Sequence, residues 1–244
     1  MPTVQEIAKT IDHSVLQPVF TDEDLRRECG VAVKYGVAAV CVKPYQTRAA
    51  AELVRGSGVK VCAVTGFPHG NGSIDAKVFE TGGVCRDGAE EVDTVVNIGK
   101  VLGEDWSYVE NELTAIHNAC RAYGAALKVI FETDFITRDE PKIRLCEIVS
   151  RLGIAFVKTS TGYGFVKRKD GAYGYTGATE HDLRLMRRHC SPQVQIKAAG
   201  GIRTLDRLLQ CLAWGASRIG ASATESIMEE AKRRFGVPRV GGPD

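Results

Sequence analysis

The sequence predicts an α/β fold, a closed (β/α)₈ TIM barrel that forms a single domain over residues 1–244. Short apolar runs rich in β-branched residues alternate with amphipathic stretches along the chain, which predicts alternating strands and helices. Such alternation predicts parallel strands joined by right-handed crossovers. An open doubly wound sheet uses the same alternation, but eight strands within 244 residues favour closure into a barrel.

The apolar and amphipathic stretches define eight strands and eight helices. The predicted strands are Ile7–His13, Ala38–Val42, Val59–Val64, Glu91–Ile98, Leu127–Glu132, Ala155–Lys158, Gln193–Ala198 and Ser217–Gly220. The predicted helices span residues 21–35, 46–56, 73–87, 106–123, 139–152, 179–189, 204–213 and 222–234. Thr21 and Thr179 each precede acidic residues, a pattern typical of a capped helix start. The glycines and prolines from about residue 236 predict a loose C-terminal tail.

The charge balance limits the classes of partner. Lysine and arginine number 32 and aspartate and glutamate 30, so the formal net charge is only +2. This balance gives no reason to expect a nucleic acid or a membrane surface as partner, and it is compatible with a small phosphorylated molecule. No apolar run approaches the roughly 20 residues that cross a bilayer, and the N-terminus lacks an apolar signal core. We therefore expect a soluble, cytoplasmic protein.

The cysteines, histidines and paired glycines lack the spacing of known ligand motifs. Eight cysteines are scattered without a C-x-x-C pair, which favours reduced, buried thiols in the cytoplasm over a disulfide framework. Five histidines lack an H-x-x-x-H or similar spacing, so we expect no metal. Gly70 and Gly72 lack the strand–turn–helix context of a dinucleotide site.

Strand parity places charged side chains inside the predicted barrel. Alternate residues of a barrel strand face the interior, so Glu91 and Asp93 share an interior face. Two carboxylates there are costly unless they are paired or take part in chemistry. Lys128 faces the same interior by parity but lies near the start of its strand, towards the bottom of the barrel. A salt bridge between Lys128 and Glu91 is therefore expected.

Two lysines end neighbouring predicted strands. Lys158 ends the sixth strand and Lys197 the seventh, so both are expected at the carboxyl-terminal rim, where barrel enzymes keep their chemistry. Two ammonium groups there repel each other, and desolvation adds to the cost of charging them. Both effects lower the pKa of one amine and leave it nucleophilic toward a carbonyl. The alternative interpretation is that both lysines are ordinary rim residues that point to solvent.

The segments around these lysines resemble the two lysine motifs of deoxyribose-phosphate aldolases. The motifs are Phe156-Val157-Lys158-Thr159-Ser160-Thr161-Gly162-Tyr163 and Ile196-Lys197-Ala198-Ala199-Gly200-Gly201-Ile202-Arg203-Thr204. Shorter segments that match the family in the same order are Ile11–Ser14, Val64–Pro68, Glu91–Asp93, Asn97–Gly99 and Lys128–Thr133. The resemblance covers about residues 10–230, nearly the whole chain.

The resemblance implies a role for individual residues. Lys158 corresponds to the Schiff-base lysine, Lys197 to the second lysine that perturbs it and transfers protons, and Asp93 to the carboxylate of the proton relay. Positions near the substrate are Asp12, Ser14 and Cys41, the last of which is not essential to the chemistry. The implied reaction is the reversible cleavage of 2-deoxy-D-ribose 5-phosphate to D-glyceraldehyde 3-phosphate and acetaldehyde. No metal or organic cofactor is implied, because the protonated imine is the electron sink, and a homodimer is expected by analogy.

Glycines in the loops after the last strands predict a phosphate site. Barrels commonly bind phosphate with backbone N–H groups after strands seven and eight and at a helix N-terminus. The residues expected there are Gly162, Gly200, Gly201, Gly220 and Ser222, with Arg203 adding charge from outside. The alternative interpretation is that these glycines only make tight turns.

The chain departs from the family pattern at positions that leave other hypotheses open. His69 stands where an apolar residue is commoner, and residues 218–224 replace a loop richer in Thr, Ser and Gly. These departures allow a class I aldolase with the same lysine chemistry but a different acceptor. A barrel retained as a binding or regulatory protein is a third hypothesis, disfavoured by the presence of Lys158, Lys197 and Asp93.

Overall fold

A computed structural model describes residues 2–167 and 170–236 and contains a closed barrel of eight parallel strands. Barrel strands that follow one another in the chain are neighbours in the sheet, and the last pairs with the first. Helices alternate with the strands, so the predicted single-domain (β/α)₈ fold is confirmed. The predicted loose tail falls almost entirely on residues 237–244, outside the described residues.

The elements are numbered in chain order. The strands are β1 (Ile11–Val15), β2 (Ala39–Val42), β3 (Lys60–Thr65), β4 (Glu91–Val95), β5 (Ala126–Ile130), β6 (Phe156–Lys158), β7 (Val166–Lys167), β8 (Tyr173–Gly174), β9 (Gln195–Ala199) and β10 (Arg218–Ala221). The helices are α1 (Val4–Ala8), α2 (Asp22–Tyr35), α3 (Thr47–Leu53), α4 (Ile74–Arg86), α5 (Ile98–Leu102), α6 (Trp106–Arg121), α7 (Asp139–Arg151), α8 (Glu180–His189), α9 (Leu205–Ala213) and α10 (Thr224–Phe235). Strands β7 and β8 form an antiparallel hairpin in the loop after β6, and the other eight strands form the barrel.

The N-terminal segment differs from the predicted first strand, residues 7–13. Ile7 belongs to helix α1, and strand β1 begins only at Ile11. Thr3 and Glu6 form a reciprocal capping box that starts the helix. Ile7 and Ala8 are fully buried as one face of this single turn. The first half of the predicted strand is therefore wrong. The helix was missed because a single turn is too short to show a helical period in the sequence.

Two loops at the carboxyl ends of the strands also differ from the prediction. The predicted strand 91–98 ends at Val95, because the Asn97 side chain accepts a hydrogen bond from the Lys100 N–H and caps α5. The β7–β8 hairpin was not predicted, since two residues per strand are too few to show an alternating pattern. This hairpin extends the loop that follows Lys158.

The barrel has an outer and an inner apolar region. The larger one fills the space between strands and helices, and it includes Val92 and Val96. The smaller one lies inside the barrel, where Leu16, Cys41 and Val64 pack together. Within the part of the chain that the structure describes, no helix is long and apolar enough to cross a membrane.

Candidate active site

Lys158 and Lys197 lie at the same level of the barrel. Lys158 is the last residue of β6, and its Cα is paired with that of Lys197 in the register of β6 with β9. Strand β9 continues to Ala199. Lys197 therefore lies within its strand, whereas the sequence analysis placed it at the strand end. The two residues are only 3% and 1% exposed. The interpretation of both as solvent-pointing rim residues is therefore wrong.

One carboxylate joins the two amines. Asp93 is fully buried in β4, and its Oδ2 accepts hydrogen bonds from Lys158 Nζ at 2.8 Å and from Lys197 Nζ at 2.7 Å. Its Oδ1 accepts from Lys128 Nζ at 3.0 Å and from Cys62 Sγ at 3.1 Å. Burial works to raise the pKa of Asp93, but the three ammonium groups outweigh burial and hold this pKa well below its usual range. Asp93 is therefore ionised at neutral pH.

A second carboxylate, Asp12 of β1, holds Lys197. Asp12 Oδ2 lies 2.5 Å from Lys197 Nζ, and Asp12 Oδ1 accepts from Arg218 Nη1 at 2.7 Å. Burial opposes the ionisation of Asp12, but Lys197, Lys128 and Arg218 hold its pKa below the usual range. Burial likewise works to lower the pKa of Lys197, yet Asp12 and Asp93 outweigh it and raise this pKa. Lys197 therefore keeps its proton.

Lys128 and Glu91 form a lower layer of the barrel interior. Lys128 Nζ lies 2.6 Å from Glu91 Oε2, so the predicted salt bridge is confirmed. Lys128 is fully buried, and its carboxylate and thiol neighbours raise its pKa although burial works against its charge. Arg218 contacts both oxygens of Glu91, with Nη1 at 3.1 Å and Nη2 at 3.3 Å. Both carboxylate oxygens of Glu91 are therefore paired with cations in this layer.

The buried cluster is charge-balanced without Lys158. Its anions are Asp12, Glu91 and Asp93, and its cations other than Lys158 are Lys128, Lys197 and Arg218. Each of those three cations lies within 4 Å of at least two of the carboxylates. Among the described residues, Lys158 has one carboxylate within that distance, Asp93. Three cations other than Lys158 therefore balance the three carboxylates, and Lys158 has the fewest carboxylate partners of the four cations.

Lys158 and Lys197 line an open cavity of about 140 Å³ at the carboxyl ends of the strands. The predicted substrate and phosphate residues that line it are Asp12, Ser14, Cys41, Gly162, Gly200, Gly201, Gly220 and Ser222. Arg203 also lines the cavity; it is exposed and has no ion pair or hydrogen bond within residues 2–167 and 170–236. The structure thus brings the predicted residues together around one cavity, with Asp93 behind the two lysines. The role of each residue stays a prediction.

The glycines of the cavity bring backbone close to its interior. Gly200 and Gly201 have φ values of 90° and 75°, which favour glycine. A Cβ on Gly177 would lie 2.5 Å from the Gly200 carbonyl, so the loops before α8 and after β9 are in direct backbone contact. Ser222 stands two residues before α10, whose N-terminal N–H groups favour an anion.

The sequence profile described as DeoC/LacD family aldolase matches residues 7–236. The chain belongs to this family. The aldolase is 45% identical over 235 residues to the deoxyribose-phosphate aldolase of Rhodopirellula baltica, covering 96% of this chain and 93% of the relative. It is 42% identical to the deoxyribose-phosphate aldolase of Thermococcus kodakarensis, covering 93% of this chain and 97% of the relative. A solved tetrameric deoxyribose phosphate aldolase from Aeropyrum pernix is 29% identical, with a TM-score of 0.84 over 95% of this chain and 93% of that one.

Cys62 of this aldolase was missed by the sequence analysis. Its thiol donates to Asp93 Oδ1 and receives a hydrogen bond from Lys128 Nζ at 3.1 Å. Its Sγ lies 3.7 Å from Cys41 Sγ, on the neighbouring strand. The available signal was parity, because Cys62 and Val64 share the interior face of β3, but a single thiol on that face resembles ordinary core packing.

Two groups of possible metal ligands occur in the described part of the aldolase. They are Cys41, Cys62 and Asp93, and Asp12, Cys62 and Glu91. Their ligands come from different strands, so sequence spacing did not reveal them. The Lys128 ammonium lies within 3.1 Å of Cys62, Glu91 and Asp93, so a cation already neutralises both groups. The expectation that no metal is needed stays a prediction.

Proposed function

We propose that this aldolase reversibly cleaves 2-deoxy-D-ribose 5-phosphate to D-glyceraldehyde 3-phosphate and acetaldehyde through a Schiff base on Lys158. Relatives at 45% and 42% identity carry the name of this activity. The observation that supports Lys158 is the charge balance of the buried cluster. Lys128 and Lys197 are each held as ammonium ions by at least two carboxylates, whereas Lys158 has one described carboxylate within 4 Å, that of Asp93. Lys158 is therefore the cavity amine best suited to attack a carbonyl.

The chemical steps follow from this arrangement. The Lys158 amine adds to the C1 aldehyde of the open-chain sugar, and loss of water gives a protonated imine. The C3 hydroxyl gives its proton to Asp93 through water, the C2–C3 bond breaks, and the electrons of that bond move into the imine to form an enamine. D-glyceraldehyde 3-phosphate leaves, and C2 takes a proton back from the relay of Asp93 and Lys197. Water then hydrolyses the imine, which releases acetaldehyde and the free amine.

The protonated imine is the electron sink of this sequence, so the reaction calls for no metal or organic cofactor. The phosphate is assigned to the backbone N–H groups of Gly162, Gly200, Gly201 and Gly220 and the hydroxyl of Ser222. Support comes from the meeting of three glycine-bearing loops beside the N-terminus of α10. Arg203 supplies a positive charge near this end. Asp12 contacts Lys197, and Ser14 and Cys41, which are paired in the register of β1 with β2, line the cavity on the side of these two strands.

We also propose that the aldolase works as a cytoplasmic homodimer. Its eight cysteines are free and buried, a state that a reducing cytoplasm maintains. The solved relative from Aeropyrum pernix is a tetramer, which makes the tetramer the competing assembly. Light scattering is expected to give twice the chain mass of 26.4 kDa. A monomer or a tetramer in solution would overturn the dimer without touching the catalytic proposal.

Reductive trapping tests the catalytic proposal directly. The aldolase is incubated with acetaldehyde and borohydride, and the labelled peptide is mapped by mass spectrometry. A label on the peptide that contains Lys158 is the expected result, and a label on Lys197 or Lys128 would reverse the assignment. Rates with 2-deoxy-D-ribose 5-phosphate and with other aldehyde acceptors then separate this function from that of an aldolase with a different acceptor. Preference for another acceptor would keep the Schiff base and replace the substrate.

A further inference from the structure

Glu132 has an unusual backbone at the end of β5. Its φ is 58°, in the left-handed region that favours glycine. In residues 2–167 and 170–236, Glu104 is the one other non-glycine residue with a positive φ, and it lies on the surface. Glu132 is instead fully buried. A strained backbone that carries a buried carboxylate indicates that the side chain itself is needed at this position.

The Glu132 carboxylate holds the loop that follows Lys158. Both of its oxygens lie 3.3 Å from the Thr161 N–H, and Oε2 also accepts a short hydrogen bond from Thr161 Oγ1. Thr161 Oγ1 in turn accepts the Tyr163 N–H at 2.9 Å. A Cβ on Gly164 would lie 2.8 Å from the carboxyl carbon of Glu132, so the carboxylate also packs against that residue. One side chain therefore fixes the loop Thr161–Gly164.

Among the described residues, the Glu132 carboxylate has no salt-bridge partner that would offset the free-energy cost of burying its charge. No cationic nitrogen of the described residues lies within 4 Å of it. Burial raises the pKa of Glu132 and the nearby Asp134 adds to this, while the hydrogen bonds of Thr161 and the charge of Lys158 work in the opposite direction. A buried carboxylate satisfied only by one loop residue is costly to keep. Its contribution is therefore to the shape of that loop.

The loop that Glu132 fixes forms one wall of the cavity. Thr161, Gly162 and Tyr163 all line it. Gly162 has a φ of 83°, and a Cβ built on it would meet nothing within 4 Å. Its backbone is therefore open on one side, as close approach by an anion demands. Phe67 packs edge-on against Tyr163, with ring centroids 5.6 Å apart, which supports the loop from the other end.

We propose that Glu132 is a positioning residue that holds Thr161–Gly164 in the conformation that receives the phosphate end of the substrate. This inference rests on the proposed function, since it takes the ligand of the loop to be a phosphate monoester. Glu132 does not line the cavity and acts through Thr161, so it changes the affinity for the phosphate group and leaves imine formation intact. A glutamate with purely structural importance would affect phosphorylated and unphosphorylated substrates alike.

The test compares Glu132→Gln and Thr161→Val with Glu104→Gln. Glu104→Gln is the matched control, because Glu104 shares the positive φ but is exposed and pairs with Arg138 on the surface. The dissociation constant of inorganic phosphate is measured by calorimetry, and KM and kcat are measured with 2-deoxyribose 5-phosphate and with 2-deoxyribose. Loss of a charge-assisted hydrogen bond predicts phosphate binding weakened about tenfold in both loop variants and unchanged in the control. The kcat/KM for 2-deoxyribose 5-phosphate is expected to fall about tenfold relative to that for 2-deoxyribose in both loop variants, and this ratio stays unchanged in Glu104→Gln.

Further variants keep the inference open to disproof. Glu132→Gln combined with Thr161→Val is expected to weaken phosphate binding little more than either single change, because both act on the hydrogen bond between Thr161 Oγ1 and the Glu132 carboxylate. Thr161→Ser keeps the hydroxyl and is expected to restore binding.

Unchanged phosphate affinity in Glu132→Gln, or equal losses with both sugars, overturns the role of Glu132. If Glu132→Gln does not fold, Thr161→Val decides by the same measurements. Failure of the parent aldolase to bind phosphate overturns the proposed phosphate site itself, so the two failures are distinguishable.

Discussion

The lower and upper layers of the barrel interior hold lysines of opposite character. In the lower layer, the Lys128 ammonium lies within 3.6 Å of three carboxylates, those of Asp12, Glu91 and Asp93. In the upper layer, Lys158 contacts Asp93 at 2.8 Å and lines the cavity. Both lysines are buried, so burial does not distinguish them. The two lysines differ in the number of carboxylates around each amine and in the access of that amine to the cavity.

In the proposed mechanism, this difference lets one barrel keep a structural and a reactive lysine side by side. An ammonium surrounded by carboxylates is stabilised in its charged form and is a poor nucleophile. Asp93 joins the two layers, with Oδ1 directed to Lys128 and Oδ2 shared by Lys158 and Lys197. Lys128 therefore gives Asp93 a counter-charge that does not depend on Lys158.

Replacing each lysine by methionine gives the largest expected effects, and Lys158→Met comes first. Loss of the amine abolishes imine formation, so kcat/KM is expected to fall on the order of 10⁴-fold or more. The free energy of unfolding is expected to change by less than about 1.5 kcal/mol, because methionine keeps the volume and Asp93 keeps two ammonium partners. Steady-state kinetics and urea denaturation measure the two quantities. A Lys158→Met variant that retains substantial cleavage would end the distinction between the layers.

Lys128→Met is expected to show the reverse pattern. Its removal leaves Glu91 and Asp93 short of a buried counter-charge, so the free energy of unfolding is expected to drop by about 3–5 kcal/mol. Borohydride trapping of the folded fraction is expected to label Lys158 still. Urea denaturation measures the loss, with Lys100→Met as control, because Lys100 is a half-buried lysine whose ion pair is with the partly exposed Asp105. A loss below about 1 kcal/mol would show that the lower layer is not structural.

The sequence predicts the barrel because the signal is repeated eight times. The prediction from the sequence fails where a helix is only one or two turns long, as in α1, or where a strand has only two residues, as in β7. Local side-chain hydrogen bonds decide such short elements. The cap made by Asn97 ends the predicted strand 91–98 at Val95, and no apolar pattern reports this cap. Boundaries are therefore less predictable than the order of the elements.

The candidate site was predictable in its membership and not in its electrostatics. Parity and motif place Lys158, Lys197 and Asp93 together, and the structure does the same. Sequence reasoning described the two lysines as mutually repelling, but Asp93 lies between them and contacts both. Arg218 lies 206 residues from its partner Asp12 in the chain, so only the closed barrel reveals this pair. Glu132 went unnoticed because its backbone conformation has no sequence signature.

Lys197→Leu tests whether charge balance governs the upper layer. Without this ammonium, the buried carboxylates of Asp12, Glu91 and Asp93 keep Lys128 and Arg218 as buried or partly buried partners, and the exposed Lys60 lies 3.7 Å from Glu91. The remaining cavity amine is therefore expected to take up a proton. The acidic limb of the pH–rate profile for imine formation should then move to higher pH by more than about one unit. Lys197→Arg keeps the charge and should move the limb less. A lower rate with no movement of the limb would mean that Lys197 acts only as a proton carrier.

Ser222→Ala gives the smallest expected effect and tests the outer edge of the upper layer. Ser222 lines the cavity just before α10. In the proposed phosphate site, its hydroxyl adds one neutral hydrogen bond to a phosphate that backbone N–H groups mainly hold. Loss of one such bond predicts a KM for 2-deoxyribose 5-phosphate raised about fivefold, with kcat unchanged. The matched control is Ser226→Ala, since the Ser226 hydroxyl donates to the Ala223 carbonyl within the helix. The KM for unphosphorylated 2-deoxyribose should stay constant in both variants. A rise in KM for both sugars would remove Ser222 from the phosphate site and assign it to the acceptor wall of the cavity.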